Sequence, residues 1–150
     1  MFGQKILFSK HSDEWRTPPQ IIERLREKYN IKVDLACTEE NAITDTWKCL
    51  QLDELSVKVA KGLINGREIA YCNPPYSKCT KFVKLIYESR IPCILLLPAR
   101  TDTRWFHDFI YQKENVRIQF LKGRLKFSGA KYNAPFPSML VYMNLECSDQ

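Results

Sequence analysis

Apolar and polar positions alternate with two distinct periods along the chain. Ile21, Ile22, Leu25 and Tyr29 recur at three- and four-residue spacing, which predicts a helix with one buried face. Thr17 suits its N-cap, Pro18 its first position, and Gln20 completes a capping box. Ile31, Val33 and Leu35 then alternate, predicting a strand that ends near Asp34 to Cys37. Residues 38–66 are polar and weakly patterned, so loops are expected, with a helix around Asp53 to Lys61. Ile69 to Cys72 is a short apolar strand, and Phe82, Val83, Ile86 and Tyr87 mark a second helix. The run CILLLPA, from Cys93, is continuously apolar, as in a strand covered on both faces. Trp105, Phe106, Phe109 and Ile110 predict a helix after Asp102, and Val116, Ile118 and Phe120 alternate as a strand. Lys122-Gly123 turns the chain, Leu125 and Phe127 follow, and a polar loop runs to Pro137 before the closing strand SMLVYMN.

Strand and helix therefore alternate, until the last strands follow one another without a helix. This predicts an α/β fold: a mostly parallel sheet with helices on both faces and an antiparallel C-terminal end. Ligands of such sheets bind at the carboxyl ends of the strands. Three polar stretches fall there: Asp34 to Cys37, Asn73 to Tyr76, and Pro98 to Arg100.

Composition narrows the class. A chain of 150 residues with 45% apolar content fits one domain, here residues 15–145 behind a polar arm at 1–14, with no room for a separate target-recognition domain. No apolar run approaches the roughly 20 residues of a membrane span, and no signal peptide is visible. The six cysteines form no Cys-x-x-Cys pair, and His11 and His107 lie far apart, which argues against a metal site. Several cysteines sit in apolar runs, where a reduced thiol behaves as a small hydrophobe, so a reducing cytoplasm is expected. The net charge of +6 favours a polyanionic partner, nucleic acid above all.

The stretch EIAYCNPPYSK carries the chemistry. Two adjacent prolines end a strand, because neither offers an N–H. The Asn73 side-chain oxygen and the Pro74 carbonyl can accept both hydrogens of a planar amine and draw its nitrogen toward a tetrahedral, nucleophilic shape. The prolines fix φ, so these acceptors are placed in advance. Tyr76 offers a face for a planar ring, worth about 1–3 kcal/mol of stacking. A bare turn would need neither the amide nor the phenol.

Asn-Pro-Pro-Tyr after a short strand resembles the catalytic motif of S-adenosylmethionine-dependent amino-methyltransferases. DEWRTPPQII, DLACTEENA, YCNPPYSK, LLLPARTDTRWFHDFI, IQFLKGRLKF and NAPFPSMLVY occur in that order. Together they resemble the phage-type DNA N-6-adenine methyltransferase family from Asp13 to Tyr142. The resemblance implies a Rossmann-like methyltransferase fold, S-adenosylmethionine as cofactor, no metal, and a DNA adenine flipped into a pocket formed by Asn73, Pro74, Pro75 and Tyr76. It implies cofactor contacts from Trp15, Thr17 and Pro18, from Asp34 and Ala36 at the strand tip, and from Asn73. It also implies a phage- or prophage-encoded enzyme acting in its bacterial host. The turn DLACTEENAIT departs from the family habit by lacking glycine, and Leu35 stands where a proline is common. Asp34, Asp53 and Glu54 remain as candidates for the ribose hydroxyls.

Each feature also has a plainer reading. Thr17 to Gln20 serve as a helix cap, Trp15 as a core aromatic, and Asp34 as a turn residue. Lys78, Arg100, Arg104, Arg124, Lys126 and Lys131 are either solvated surface or phosphate contacts beside the site, and the loop Ser128 to Pro137 is placed to read bases. The same motif serves cytosine N-4, an RNA base or a glutamine amide. The glycine-free turn leaves room for a nucleic-acid-binding protein that has lost catalysis.

Overall fold

The computed structural model describes residues 15–37 and 47–145. In chain order it places α1 (Pro19–Lys28), β1 (Ile31–Asp34), β2 (Lys48–Cys49), α2 (Val57–Leu63) and β3 (Ile69–Cys72). A 3-10 turn (Tyr76–Lys78), α3 (Cys79–Ser89), β4 (Cys93–Pro98), α4 (Arg104–Phe109), β5 (Val116–Phe120) and β6 (Ser138–Met143) follow. The arm at residues 1–14, the TEENA stretch and Cys147 lie outside the described residues.

The strands form one six-stranded sheet in the order β2-β1-β3-β4-β6-β5. The β2, β1, β3 and β4 strands are parallel, and β6 runs antiparallel between β4 and β5. The expected mixed α/β sheet with an antiparallel C-terminal end is therefore present. All six residues of β4 are buried, as the continuous apolar run requires. Its pleat divides them between two layers. Cys93, Leu95 and Leu97 pack with Ala60 of α2, Phe82, Val83 and Ile86 of α3, and Trp105 and Phe106 of α4. Ile94 and Leu96 pack with Ile21, Ile22 and Leu25 of α1. Helices thus cover both faces, and the α1 face is completed by Phe127, Ala134 and Phe136 from the loop between β5 and β6.

Four sequence expectations need correction. The α1 helix starts at Pro19, with Pro18 as its N-cap and no side-chain cap bond, because the Thr17 hydroxyl is engaged elsewhere. The second helix begins at Val57 rather than near Asp53. Asp53 and Ser56 bond each other reciprocally, each side-chain oxygen accepting the other's backbone N–H at 2.8 Å, so this segment is a turn leading into the helix. The β2 strand, only Lys48–Cys49, was expected as loop. Finally, the cysteines are not all reduced: parallel pairing of β1 with β2 brings the Cα atoms of Cys37 and Cys49 to 5.1 Å, and the two form a disulfide. Cys72, Cys79 and Cys93 keep buried thiols in the core, as expected of small hydrophobes.

Candidate functional site

The topology sets where a ligand can enter. From β1 the chain moves outward to β2, then returns to β3 on the other side of β1 and continues to β4. The order reverses between β1 and β3, and it is at the carboxyl ends of strands beside such a reversal that open α/β sheets bind ligands. Asp34 closes β1 there, and Asn73 follows β3 directly. Pro98, at the end of β4, and Ser138, at the start of the antiparallel β6, stand opposite each other at the same edge. Among the described residues no helix is long and apolar enough to cross a membrane, and no group of three His, Cys, Asp or Glu side chains is placed to hold a metal.

Asn73 is held by the segment before α1. Its side-chain Nδ2 donates to the Trp15 carbonyl and, at 3.3 Å, to the Thr17 hydroxyl. Two carbonyl oxygens would repel, so the Trp15 carbonyl fixes which end of the amide faces it. The Asn73 Oδ1 atom is buried and has no hydrogen-bond partner. A buried polar atom left so costs free energy unless a ligand completes it. The Tyr76 hydroxyl and Ser138 Oγ are likewise buried without partner at this edge. Burial pushes the Tyr76 phenol well above its ordinary pKa, so it stays protonated.

Aromatic side chains wall the turn. Trp15 lies 5.3 Å from Phe127 and, edge-on, 5.3 Å from Phe136. Tyr76 meets Phe136 edge-to-face at 5.3 Å. Trp15 is therefore both a member of this cluster and, through its backbone, the anchor of Asn73. An antiparallel bridge between Arg16 and Ser128, with Ser128 N–H donating to the Arg16 carbonyl at 2.9 Å, ties the segment before α1 to the late loop.

Asp34 is 5% exposed and accepts from the Ala36 N–H at 3.1 Å. Desolvation raises its pKa from 3.8 to about 6, against the lowering effect of that one bond, and no cation among the described residues pairs with it. A buried acid whose pKa is raised by desolvation, at the strand ends where such sheets bind ligands, is a candidate functional group. The turn after β1 needs no glycine, since no residue of 34–37 has positive φ and the Ala36 N–H closes it on Asp34. Of the three candidate acids, Asp34 alone is buried at this edge; Asp53 and Glu54 are exposed.

The cations expected beside the site are all exposed. Lys78 ends the 3-10 turn, Arg100 lies over Phe136 at 5.8 Å, and Arg104 opens α4. Arg124, Lys126 and Lys131 lie in the loop that carries Phe127 and Phe136. Thr17 and Pro18 are buried. Sequence reasoning missed Tyr71, Phe127, Phe136, Ser138 and the basic Arg16 as site residues. The string NAPFPSMLVY contains Phe136 and Ser138, but only the folded loop shows Phe136 against Trp15 and Tyr76, the neighbours of Asn73. A separate cleft of about 300 Å3, lined by Tyr87, Arg90 and residues 112–115, sits at the opposite ends of the strands.

An α/β domain with an Asn-Pro-Pro-Tyr turn at the switch point of its sheet defines the general class. The family model for DNA N-6-adenine-methyltransferase (Dam) matches residues 5–144, and the chain belongs to that family. No curated protein and no solved structure matches the chain.

Proposed function

We propose that the protein is a DNA adenine-N6 methyltransferase that uses S-adenosylmethionine and acts on an adenine flipped into the Asn73–Tyr76 turn. One observation carries this reading: the Asn73 amide has its donors committed to Trp15 and Thr17, while its acceptor is buried and open. Such a group suits a ligand that brings N–H, as the exocyclic amine of adenine does. Family membership and the basic residues around the loop favour DNA as the source of that base.

The residues fit the cofactor on chemical grounds. S-adenosylmethionine carries an ammonium and a sulfonium, and Asp34 is a buried carboxylate at the end of β1 that pairs with no cation among the described residues. Asp34 and Ala36 would hold it from the β1 side, with Trp15 and Pro18 across from them, while Thr17 and Asn73 have their donors and acceptors committed to each other, to Tyr71 and to the amine. Bound there, it supplies an electrophilic methyl group. Asn73 Oδ1 and the Pro74 carbonyl would accept hydrogen bonds from the two amine N–H groups and sharpen the nitrogen lone pair, one of the two protons passing to solvent once the N–C bond has formed, while Tyr76, Phe127 and Phe136 supply an apolar wall around the base. Extruding the base from a duplex costs a few kcal/mol, which stacking on Tyr76 and contacts from the basic loop offset. Sheet order supports a Rossmann-like methyltransferase fold, since β6 is inserted antiparallel between two strands that share a direction.

The test is direct. The protein is incubated with methyl-labelled S-adenosylmethionine and mixed-sequence DNA, the DNA is digested, and modified nucleosides are identified by mass spectrometry. N6-methyladenosine in its deoxy form is expected. Label on deoxycytidine, on RNA or on protein would reassign the amine, and cofactor binding without transfer to any of them would overturn the enzymatic reading.

A further inference from the structure

A carboxamide has two N–H donors and one acceptor oxygen, and a threonine hydroxyl has one donor and two acceptor lone pairs. Both Asn73 donors are used, one on the Trp15 carbonyl and one on Thr17 Oγ1. Thr17 Oγ1 also lies 2.6 Å from the Tyr71 hydroxyl, which is fully buried in the middle layer of the sheet. Two buried hydroxyls at this distance satisfy each other, since each can donate or accept. The Tyr71 and Thr17 hydroxyls share this bond, in which either can be the donor; in both cases Thr17 keeps a lone pair for the Asn73 N–H, and the amide plane is set from below by a residue of the strand that Asn73 follows. Trp47 packs against the Tyr71 ring at 5.6 Å and holds the phenol in place. Burial keeps that phenol protonated, so the hydroxyl–hydroxyl contact persists across the working pH range.

We propose that Tyr71 and Thr17 are positioning residues that hold the Asn73 carboxamide as an acceptor-only group, so that the site takes a base presenting an amino edge and turns away one presenting a carbonyl there. This rests on the methyltransferase reading and deepens it. Adenine offers N–H to Asn73 Oδ1; hypoxanthine, with a carbonyl at the same place, would set oxygen against oxygen. Local sequence gives Thr17 a different task, capping α1, and the structure shows that it does not perform it.

The test uses the full chain with Tyr71→Phe, Thr17→Val and Thr17→Ser. Two readouts separate positioning from general support of the fold. The first needs no activity: proton exchange of the Asn73 side-chain NH2, assigned by its loss in Asn73→Asp. Slow exchange is expected in the unaltered protein, faster exchange of one proton in Thr17→Val, and recovery in Thr17→Ser. The second is kinetic. Losing one oriented hydrogen bond should lower kcat about tenfold in Thr17→Val and Tyr71→Phe, with recovery in Thr17→Ser and KM for S-adenosylmethionine and DNA within about twofold. An unchanged kcat and unchanged amide exchange in both Thr17→Val and Tyr71→Phe would overturn the relay. A raised KM for S-adenosylmethionine with kcat intact would also overturn it, and would make Thr17 a cofactor contact instead. Absence of methyl transfer by the unaltered protein would sink the proposed function alone, because amide exchange still decides the relay. If Thr17→Val fails to fold, Tyr71→Phe, which keeps the ring, carries both measurements.

Discussion

Asp34→Asn should stabilise the ligand-free protein at neutral pH while weakening its hold on the cofactor. The carboxyl is buried at the end of β1, with its pKa raised from 3.8 to about 6 by desolvation. A shift of about two units corresponds to roughly 3 kcal/mol carried by the folded state once the group is ionised. The sign follows from proton counting. Between about pH 4 and 6 the native carboxyl binds more protons than the unfolded one, so stability falls as pH rises through that window. Below it the group is neutral in both states and the penalty vanishes. Asparagine removes the charge and can keep the acceptor for the Ala36 N–H. Its new NH2 recovers only part of what water gave, at a cost of about 1–3 kcal/mol, so the net gain above pH 6.5 should be about 1 kcal/mol.

The assay is thermal unfolding of both proteins from pH 4 to pH 8. In a domain of this size about 1 kcal/mol moves Tm by roughly 2–4 °C. The variant should melt higher at pH 8, and the order should invert toward pH 4, where the unaltered carboxyl is neutral and only the asparagine cost remains. Calorimetry with S-adenosylmethionine should show the opposite preference, with the variant binding at least tenfold more weakly. In the unaltered protein, binding near pH 6 should release protons, visible as a dependence of the heat on buffer ionisation enthalpy. A Tm difference independent of pH, or a variant less stable at pH 8, would refute the assignment of Asp34 as a desolvated acid waiting for a cation.

Asn73→Ala should cut methyl transfer by about two orders of magnitude or more, with cofactor affinity by calorimetry little changed; near-normal turnover would remove Asn73 from the chemistry. Replacing Lys126 and Lys131 together by alanine should lower the slope of log affinity against log salt for duplex DNA by up to about 1.8, whereas Tyr76→Ala should keep the slope and lose about 1–3 kcal/mol of stacking. An unchanged slope in the double variant would mean that this loop faces away from the phosphates. The Cys37–Cys49 bond should take two of the chain's six cysteines out of thiol titration in denaturant without reductant, and its reduction should cost roughly 2–3 kcal/mol of stability; six free thiols in freshly purified protein would contradict the pairing.

The sheet was legible wherever burial writes a pattern into neighbouring residues. Ile69–Cys72 and Ser138–Met143 are buried at every position, like β4, and uninterrupted apolar runs announced all three. β5 was legible by alternation, although its burial is only partial. β2 was not legible because two residues cannot display a period; it exists through its pairing with Val33 and Asp34 of β1. The disulfide was hidden for the same reason. Cys37 and Cys49 are 12 residues apart, and only the parallel register makes them neighbours. The late start of α2 had a local sign in Asp53 and Ser56, but a helix start and a closed turn use the same residue types, and the reciprocal bonds decide for the turn.

The candidate site shows a sharper limit on local reading. Asn73 and its prolines stand out in the sequence because their chemistry is intrinsic to the turn. The acceptor-only state of Asn73 is not intrinsic: a free asparagine side chain donates as readily as it accepts. It arises because residues 56 and 58 positions earlier, Thr17 and Trp15, take both donors. Thr17 is released for this because Pro18 caps the helix backbone in its place, and its hydroxyl is fixed by Tyr71, 54 positions later. The segment before α1 is in turn pinned to the late loop through Arg16 and Ser128, the loop that brings Phe127 and Phe136 to the turn. Changes at Ser128 or Gly129 should therefore be felt at Asn73 through Arg16 and Trp15. Gly129 has φ of 84°, a conformation costly for other residues, so Gly129→Ala should strain the bridge directly. The expected result is a lower kcat with methyl-acceptor identity unchanged, measured on the same adenine DNA. An unaltered kcat in Gly129→Ala would show that the bridge does not govern the amide.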